Sequence, residues 1–220
     1  MKNLWAIGAA GLAAAGCGNI DLDFGGPQVK GSGNVKTEAR SVSGFKRIES
    51  RGAANCVVTV GKAASLKITT DDNILPLVET KVENGVLIIG SKGNYSTKHG
   101  IKAEITVPSL EGFAVSGSGD SSITGIQGST FNVAISGSGG ISGSGQADEV
   151  KAAISGSGEM DLSKLRGRRG EVTISGSGDV QIHVTESLKA TIAGSGDIRY
   201  TGSPKNVQKQ IAGSGDVHAG

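Results

Sequence analysis

The phrase Ser-Gly-Ser-Gly-Asp, or a close variant, opens at Ser116, Ser136, Ser155, Ser175, Ala193 and Ala212, in steps of 20, 19, 20, 18 and 19 residues. A period of this length signals a solenoid or propeller, whose units bury their apolar face only when neighbours stack on them. Before each phrase the apolar residues alternate: Phe131, Val133 and Ile135; Val150, Ala152 and Ile154; Leu188, Ala190 and Ile192. After it the alternation resumes, with Met160 and Leu162, Val180 and Ile182, Ile198 and Tyr200. Period two means strand. A helix would need apolar spacings of three and four, and each glycine inside it costs roughly 1 kcal/mol. Each rung is therefore a strand, a Gly-Ser-Gly turn, a second strand and a more variable corner, with rungs opening at Phe113, Val133, Ala152, Val172, Ala190 and Lys209.

Stacked rungs give an all-β fold: a single-stranded, right-handed parallel β-helix in which equivalent residues of successive rungs, about 19 residues apart in sequence, lie about 4.8 Å apart in space. The inward column is Val115, Ile135, Ile154, Ile174, Ile192 and Ile211, each contributing roughly 1.5 to 3 kcal/mol when fully buried. Paired glycines around a serine give the corner its positive φ and its close backbone approach. With 220 residues, 36% of them hydrophobic, the chain fits one domain with a substantial core. Aromatics are only 3%, so that core is aliphatic. Lys and Arg number 22 against 20 acids, which leaves no electrostatic footprint for nucleic acid.

The N-terminus reads MKNLWAIGAAGLAAAGC: Lys2, an apolar run from Leu4 to Ala15, then Cys17. That run is too short to span a membrane and reads as an export signal over residues 1–16. Ala14, Ala15 and Gly16 before Cys17 resemble the bacterial lipobox, in which cleavage precedes a diacylated cysteine. The resemblance implies a lipid anchor on Cys17 and a place in the bacterial cell envelope, at the outer membrane, with the periplasmic or surface face left open. The other reading is an ordinary secretory signal cut elsewhere. With Cys17 lipidated, Cys56 in NCVVTV has no disulfide partner and reads as a small buried hydrophobe rather than a nucleophile. Residues 17–40 mix Gly, Pro and charge without periodicity and read as a tether. Residues 41–112 carry strand-like runs without the phrase and read as a β-rich N-terminal section closing the top of the solenoid formed by 113–220.

SVSGFKRIES from Ser41, SLKITTDDNILPLVETKVENGVLII from Ser65 and the recurring SGSGD together resemble the putative auto-transporter adhesin head GIN domain family of bacterial lipoproteins, over about Gly31 to Gly220. The resemblance implies a β-helical extracytoplasmic domain and brings no catalytic residues. One departure is the rung SGSGGISGSGQADE, where Gly140 replaces the acid and the phrase repeats at Ser142, which predicts an altered corner.

The acid after each phrase, at Asp120, Glu159, Asp179, Asp197 and Asp216, is the weak metal candidate. Carboxylates about 4.8 Å apart repel by roughly 0.9 kcal/mol in water, so either turn hydrogen bonds and solvent or a cation must relieve them. Asp bonding its own turn is the plainer account. Calcium takes six to eight oxygens, and one acid per rung supplies few. Glycan-processing β-helices need paired carboxylates and aromatic platforms. Here Tyr95, Tyr200 and four Phe are the mature aromatics, with Phe113 and Phe131 inward, and His99, His183 and His218 are scattered. RGRRG at Arg166–Gly170 is the one basic cluster and reads as a solvated loop in a variable corner, with anionic glycan or lipid headgroups as its functional alternative. The expectation is an adhesin-like or structural binding module without catalysis, attached to the membrane through its lipid and facing a glycan or protein ligand. The alternatives are a calcium-dependent glycan-binding protein and a polysaccharide-processing enzyme. The unfinished last rung predicts an exposed strand edge through which copies associate, with Lys209 as the residue arguing against it.

Overall fold

The computed structural model describes residues 28–220. The export signal and Cys17 lie outside the described residues. Six segments stack in parallel register through the repeated phrase: Ser116 pairs with Ser136, Ser136 with Ser155, Ser155 with Ser175, Ser175 with Ala193, and Ala193 with Ala212. The long strands Asp120–Gly137, Gly140–Gly156, Glu159–Gly176 and Asp179–Gly194 each run round a coil with local shifts of register. The fold is the parallel β-solenoid that the repeat dictates.

Its spine is the expected column, with Val115, Ile135, Ile154, Ile174 and Ile192 all buried. Ile48, Phe113, Val133, Ala152, Val172 and Ala190 form a second buried column two residues away along the strand. Small and large residues compensate between coils. Gly170 stands where neighbouring coils have Val150 and Leu188, and a Cβ there would meet Val184 Cγ1 at 2.9 Å, because Val184, Ile182 and Leu188 fill its space. Ile211 departs from expectation: it is 42% exposed, since no coil among the described residues covers it.

The corner depends on two glycine ladders. A Cβ on Gly137, Gly156, Gly176, Gly194 or Gly213 would meet the carbonyl oxygen of the equivalent glycine one coil back at 2.0 to 2.4 Å, and each of these residues has φ between +126° and +140°. Gly139, Gly158, Gly178, Gly196 and Gly215 repeat the contact two positions on, at 2.0 to 2.6 Å. Any side chain would push the coils apart.

The stacked strands begin earlier in the chain than the sequence reading placed them. Arg47–Gly52 stacks in parallel on Gly112–Gly117, and Cys56–Thr59 pairs with Ser121–Thr124, so residues 47–60 are a coil of the solenoid without the phrase. Val86–Ser91 and Ile101–Val107 stack on the far side of that coil, again in parallel. Val78–Glu83 and Ser65–Asp71 then pair antiparallel with those strands. The described part of the segment read as a tether, residues 28–40, carries strands: Val35–Arg40 pairs antiparallel with Ser65–Asp71, and Val29–Lys30 pairs with Tyr95–Ser96. Its backbone ladder holds it, since Val35–Arg40 is largely exposed. The Arg40 guanidinium also donates to the Val78 and Leu75 carbonyls, at 2.6 and 3.1 Å.

The rung with Gly140 keeps its corner, because Gly137 and Gly156 pair normally across it. The second SGSG instead lies on the flank, where Gly143 is buried beneath Leu162 and Gly145 takes φ +138° beside a register shift.

Candidate functional site

The acid column is a ladder of side chain to main chain. Asp120 Oδ1 accepts the N–H of Gly140 at 3.0 Å, Asp179 Oδ1 that of Asp197 at 2.9 Å, and Asp197 Oδ1 that of Asp216 at 2.8 Å. Asn55, one coil earlier, makes the same bond to the Asp120 N–H at 2.8 Å. Where the residue below has no suitable side chain, the amide turns to backbone: Glu159 N–H bonds the Gly139 carbonyl above Gly140, and Asp179 N–H bonds the Gly158 carbonyl above Glu159. Glycine has no carboxylate, and glutamate carries its own one methylene too far out. Asp120, Glu159, Asp179, Asp197 and Asp216 are all exposed. Among the described residues no three His, Cys, Asp or Glu side chains gather as a metal site.

The other candidates are dispersed. His99 is exposed; His183 Nδ1 lies 3.0 Å from Thr201 Oγ1; His218 receives Arg199 Nε at 3.2 Å. Cys56 is free and 1% exposed. Burial pushes its thiol pKa up, partly offset by the nearby Ser50 and Ser121 hydroxyls. Ser121 Oγ itself is buried and makes no hydrogen bond of ordinary geometry among the described residues.

RGRRG is strand rather than loop. Leu165, Gly167 and Gly170 face inward, while Arg166, Arg168 and Arg169 face out. Arg168 is bound by Glu186 at 2.6 Å and Asp148 at 3.5 Å, and Arg169 lies 3.9 Å from Glu186. Hydrogen bonding to Glu186 raises the Arg168 pKa further. Arg166 makes no ion pair among the described residues.

Among the hollows of the surface, two are the most spacious. The larger, about 950 Å³, lies between Ser43–Arg47 and Pro108–Gly112, where Lys46 and Glu111 pair at 2.9 Å and the Arg47 guanidinium donates to the Asn84 carbonyl at 3.0 Å. The smaller, about 500 Å³, lies beside Arg166 and is lined by Gln127, Gln146, Asp148, Arg168, His183 and Thr185 among others. The sequence reading missed this cluster. Its signal was the solenoid register, which pairs Gln127 with Gln146, Gln146 with Arg166 and Arg166 with His183.

A further cluster lies beneath the N-terminal segment. Asp71, 1% exposed, accepts the Gly33 N–H at 3.0 Å and the Thr97 hydroxyl. Ser32 bonds Asp72 at 2.5 Å, and Asn73 Nδ2 bonds the Lys30 carbonyl at 2.8 Å. Asp71, Asp72 and Asn73 thereby hold residues 30–34 on the domain. They build an anchorage and no open chemistry.

No helix among the described residues is long and apolar enough to cross a membrane. No curated protein sequence matches the chain. Among solved structures, a putative adhesin from Bacteroides fragilis shares 25% identity at a TM-score of 0.67, covering 87% of this chain and 99% of that one. A putative adhesin from Parabacteroides distasonis shares 23% at a TM-score of 0.64, covering 88% and 100%. A putative lipid binding protein from the same species shares 24% at a TM-score of 0.61, covering 88% and 99%. The latter two likenesses concern the fold alone. The sequence family described as putative auto-transporter adhesin, head GIN domain, matches residues 44–204, and the chain belongs to that family.

Proposed function

We propose that this chain is a lipid-anchored, extracytoplasmic binding module of adhesin type, held at the outer membrane through Cys17 and working without catalysis. The observation that carries the reading is the arrangement of polar side chains in long columns, one residue per coil, with no convergent cluster of acid, base and nucleophile among the described residues. Catalysis needs groups held within hydrogen-bond reach of one reacting atom. Columns instead offer the same weak contact again and again, which suits adhesion, where many modest contacts sum through avidity. Membership in the adhesin family and the adhesin-named neighbour from Bacteroides fragilis support the binding part. The lipobox-like sequence before Cys17 supports the anchor, and two or more acyl chains make such anchoring stable.

The test has two arms. Membrane fractionation of Cys17→Ala against wild type reads the anchor; a variant that stays in the membrane with unchanged mobility rejects it. Adherence of cells displaying the protein to glycan-coated and protein-coated surfaces, against cells lacking it, reads the binding; equal adherence on every surface rejects that.

A further inference from the structure

We propose that the trough beside Arg166 binds an extended, carboxylate-bearing polysaccharide lying along the solenoid axis. This rests on the binding-module reading and gives it a ligand class and a place.

One wall of the trough is a single column. Gln127, Gln146, Arg166 and His183 occupy one register position on four successive coils, and Thr201 continues it. Asp148, Arg168 and Thr185 line the opposite side, with Gly128, Ala147 and Gly167 between the walls. That middle line has no outward side chain, because its residues turn toward the core or have none. A Cβ on Gly167 would point at Val150 and Val184 in the core, at 3.2 and 3.3 Å, and so would not enter the channel. The result is an open channel with polar walls that repeat about every 4.8 Å, a spacing comparable with the rise of one sugar unit in an extended chain.

The ligand's chemistry follows from what the walls have left to give. Asp148 and Arg168 neutralise each other, and Glu186 takes up Arg168 further. Arg166 is the guanidinium in the trough without an ion pair among the described residues, and its fork of donors matches a carboxylate. Gln127 and Gln146 are exposed amides, each able to donate to one hydroxyl and accept from the next. His183, tied through Nδ1 to Thr201, keeps its other ring nitrogen for a ligand. No aromatic side chain lines the trough, so a neutral sugar has nothing to stack on. One uncompensated charge is also too few for a nucleic acid, whose binding needs many phosphate contacts.

The experiment uses full-length protein in detergent micelles, with polygalacturonate, alginate and hyaluronate fragments as probes and fully methyl-esterified polygalacturonate as the uncharged control. Calorimetry is expected to show binding to at least one acidic fragment and none to the ester. Arg166→Ala is expected to weaken that binding roughly tenfold, the loss of a charged hydrogen-bonded contact, and Arg166→Lys to weaken it less. Arg166 is exposed, so both variants are expected to melt with wild type. Arg199→Ala, outside the trough, is expected to bind normally. Equal binding by Arg166→Ala, equal binding of the ester, or failure of wild type with all three acidic fragments overturns the proposal. So does binding that anionic phosphatidylglycerol vesicles reproduce, with the same Arg166 dependence, in place of the saccharides. The adhesion assay separates the two readings: a wild type that adheres yet ignores acidic glycans keeps the binding module and loses the trough.

Discussion

Asp179 accepts, through Oδ1, the backbone N–H of Asp197 one coil further along the solenoid, at 2.9 Å. The acid of the repeated phrase is thus a splint between coils. Asn55 makes the same bond to Asp120 with an amide oxygen, so the geometry needs an oxygen at that reach and no charge. Asp179→Asn is expected to leave the melting temperature nearly unchanged, or to raise it by relieving repulsion along the column. Asp179→Ala is expected to cost about 1 kcal/mol, the worth of a typical hydrogen bond. Thermal denaturation of the two variants side by side reads the difference. A large loss in the Asn variant, recovered by calcium in wild type alone, would instead show the carboxylates serving a cation.

The glycine ladder makes a sharper contrast. Gly176→Ala would place its Cβ 2.3 Å from the Gly156 carbonyl oxygen at φ +129°, against backbone that cannot swing aside. Loss of several kcal/mol, or failure to fold, is expected, as for other strained backbone sites. Gly128→Ala meets nothing nearer than 4.0 Å and is expected to fold as wild type. Soluble yield and the urea midpoint distinguish them.

Along the inward column the position decides the cost. Ile174 is fully buried between Ile154 and Ile192, so Ile174→Ala is expected to lose roughly 2 to 5 kcal/mol, and Ile174→Asp to unfold the domain. Ile211, at 42% exposure, is expected to lose less than about 1 kcal/mol as Ala, in keeping with its incomplete burial. Equal losses at both positions, read by urea denaturation, would mean that something covers the last coil in solution.

Cys56 supplies the pH dependence. Burial raises its pKa, so the folded protein holds the neutral thiol while the unfolded chain ionises near pH 8.5. The folded state then binds more protons than the unfolded one above that value, and stability falls as pH rises from about 8.5 toward the raised folded value. Below about 8.5 the contribution is fully present. Urea titrations at pH 7.5 and 9.5 are expected to show this slope in wild type and to lose it in Cys56→Ala. The native thiol is also expected to resist iodoacetamide at pH 8 until urea opens the core.

The repeat made the register legible residue by residue, because the phrase and the apolar pair before it give two independent rulers. What stayed hidden lacked one ruler or both. The coil at 47–60 keeps Gly52 and Asn55 at the positions of Gly117 and Asp120, yet Ala54 replaces the second glycine and the phrase disappears from view. Val35–Arg40 is mostly exposed; an edge strand fixed by its backbone leaves no hydrophobic pattern to read. RGRRG looked like a loop since its inward positions 167 and 170 are glycines, whose space neighbouring side chains fill. The trough beside Arg166 was legible only in retrospect: Gln, Gln, Arg and His share no chemistry in sequence, and only the stacking makes them a line.

The coil at 47–60 lies between Val86–Val107, which follow it in the chain, and Gly112–Thr124, which follow later still. Both of its neighbours therefore arrive after it. A chain emerging from its N-terminus cannot lay this solenoid down coil by coil, as a rope is coiled on a deck; the 47–60 coil gains its first neighbour when Val86–Val107 arrive and its second only when about residue 124 has emerged. From there each further coil finds a finished edge to settle on. The slow, vulnerable moment in the life of this molecule falls before the repeat begins, and the monotonous part of the sequence is the part that assembles without delay.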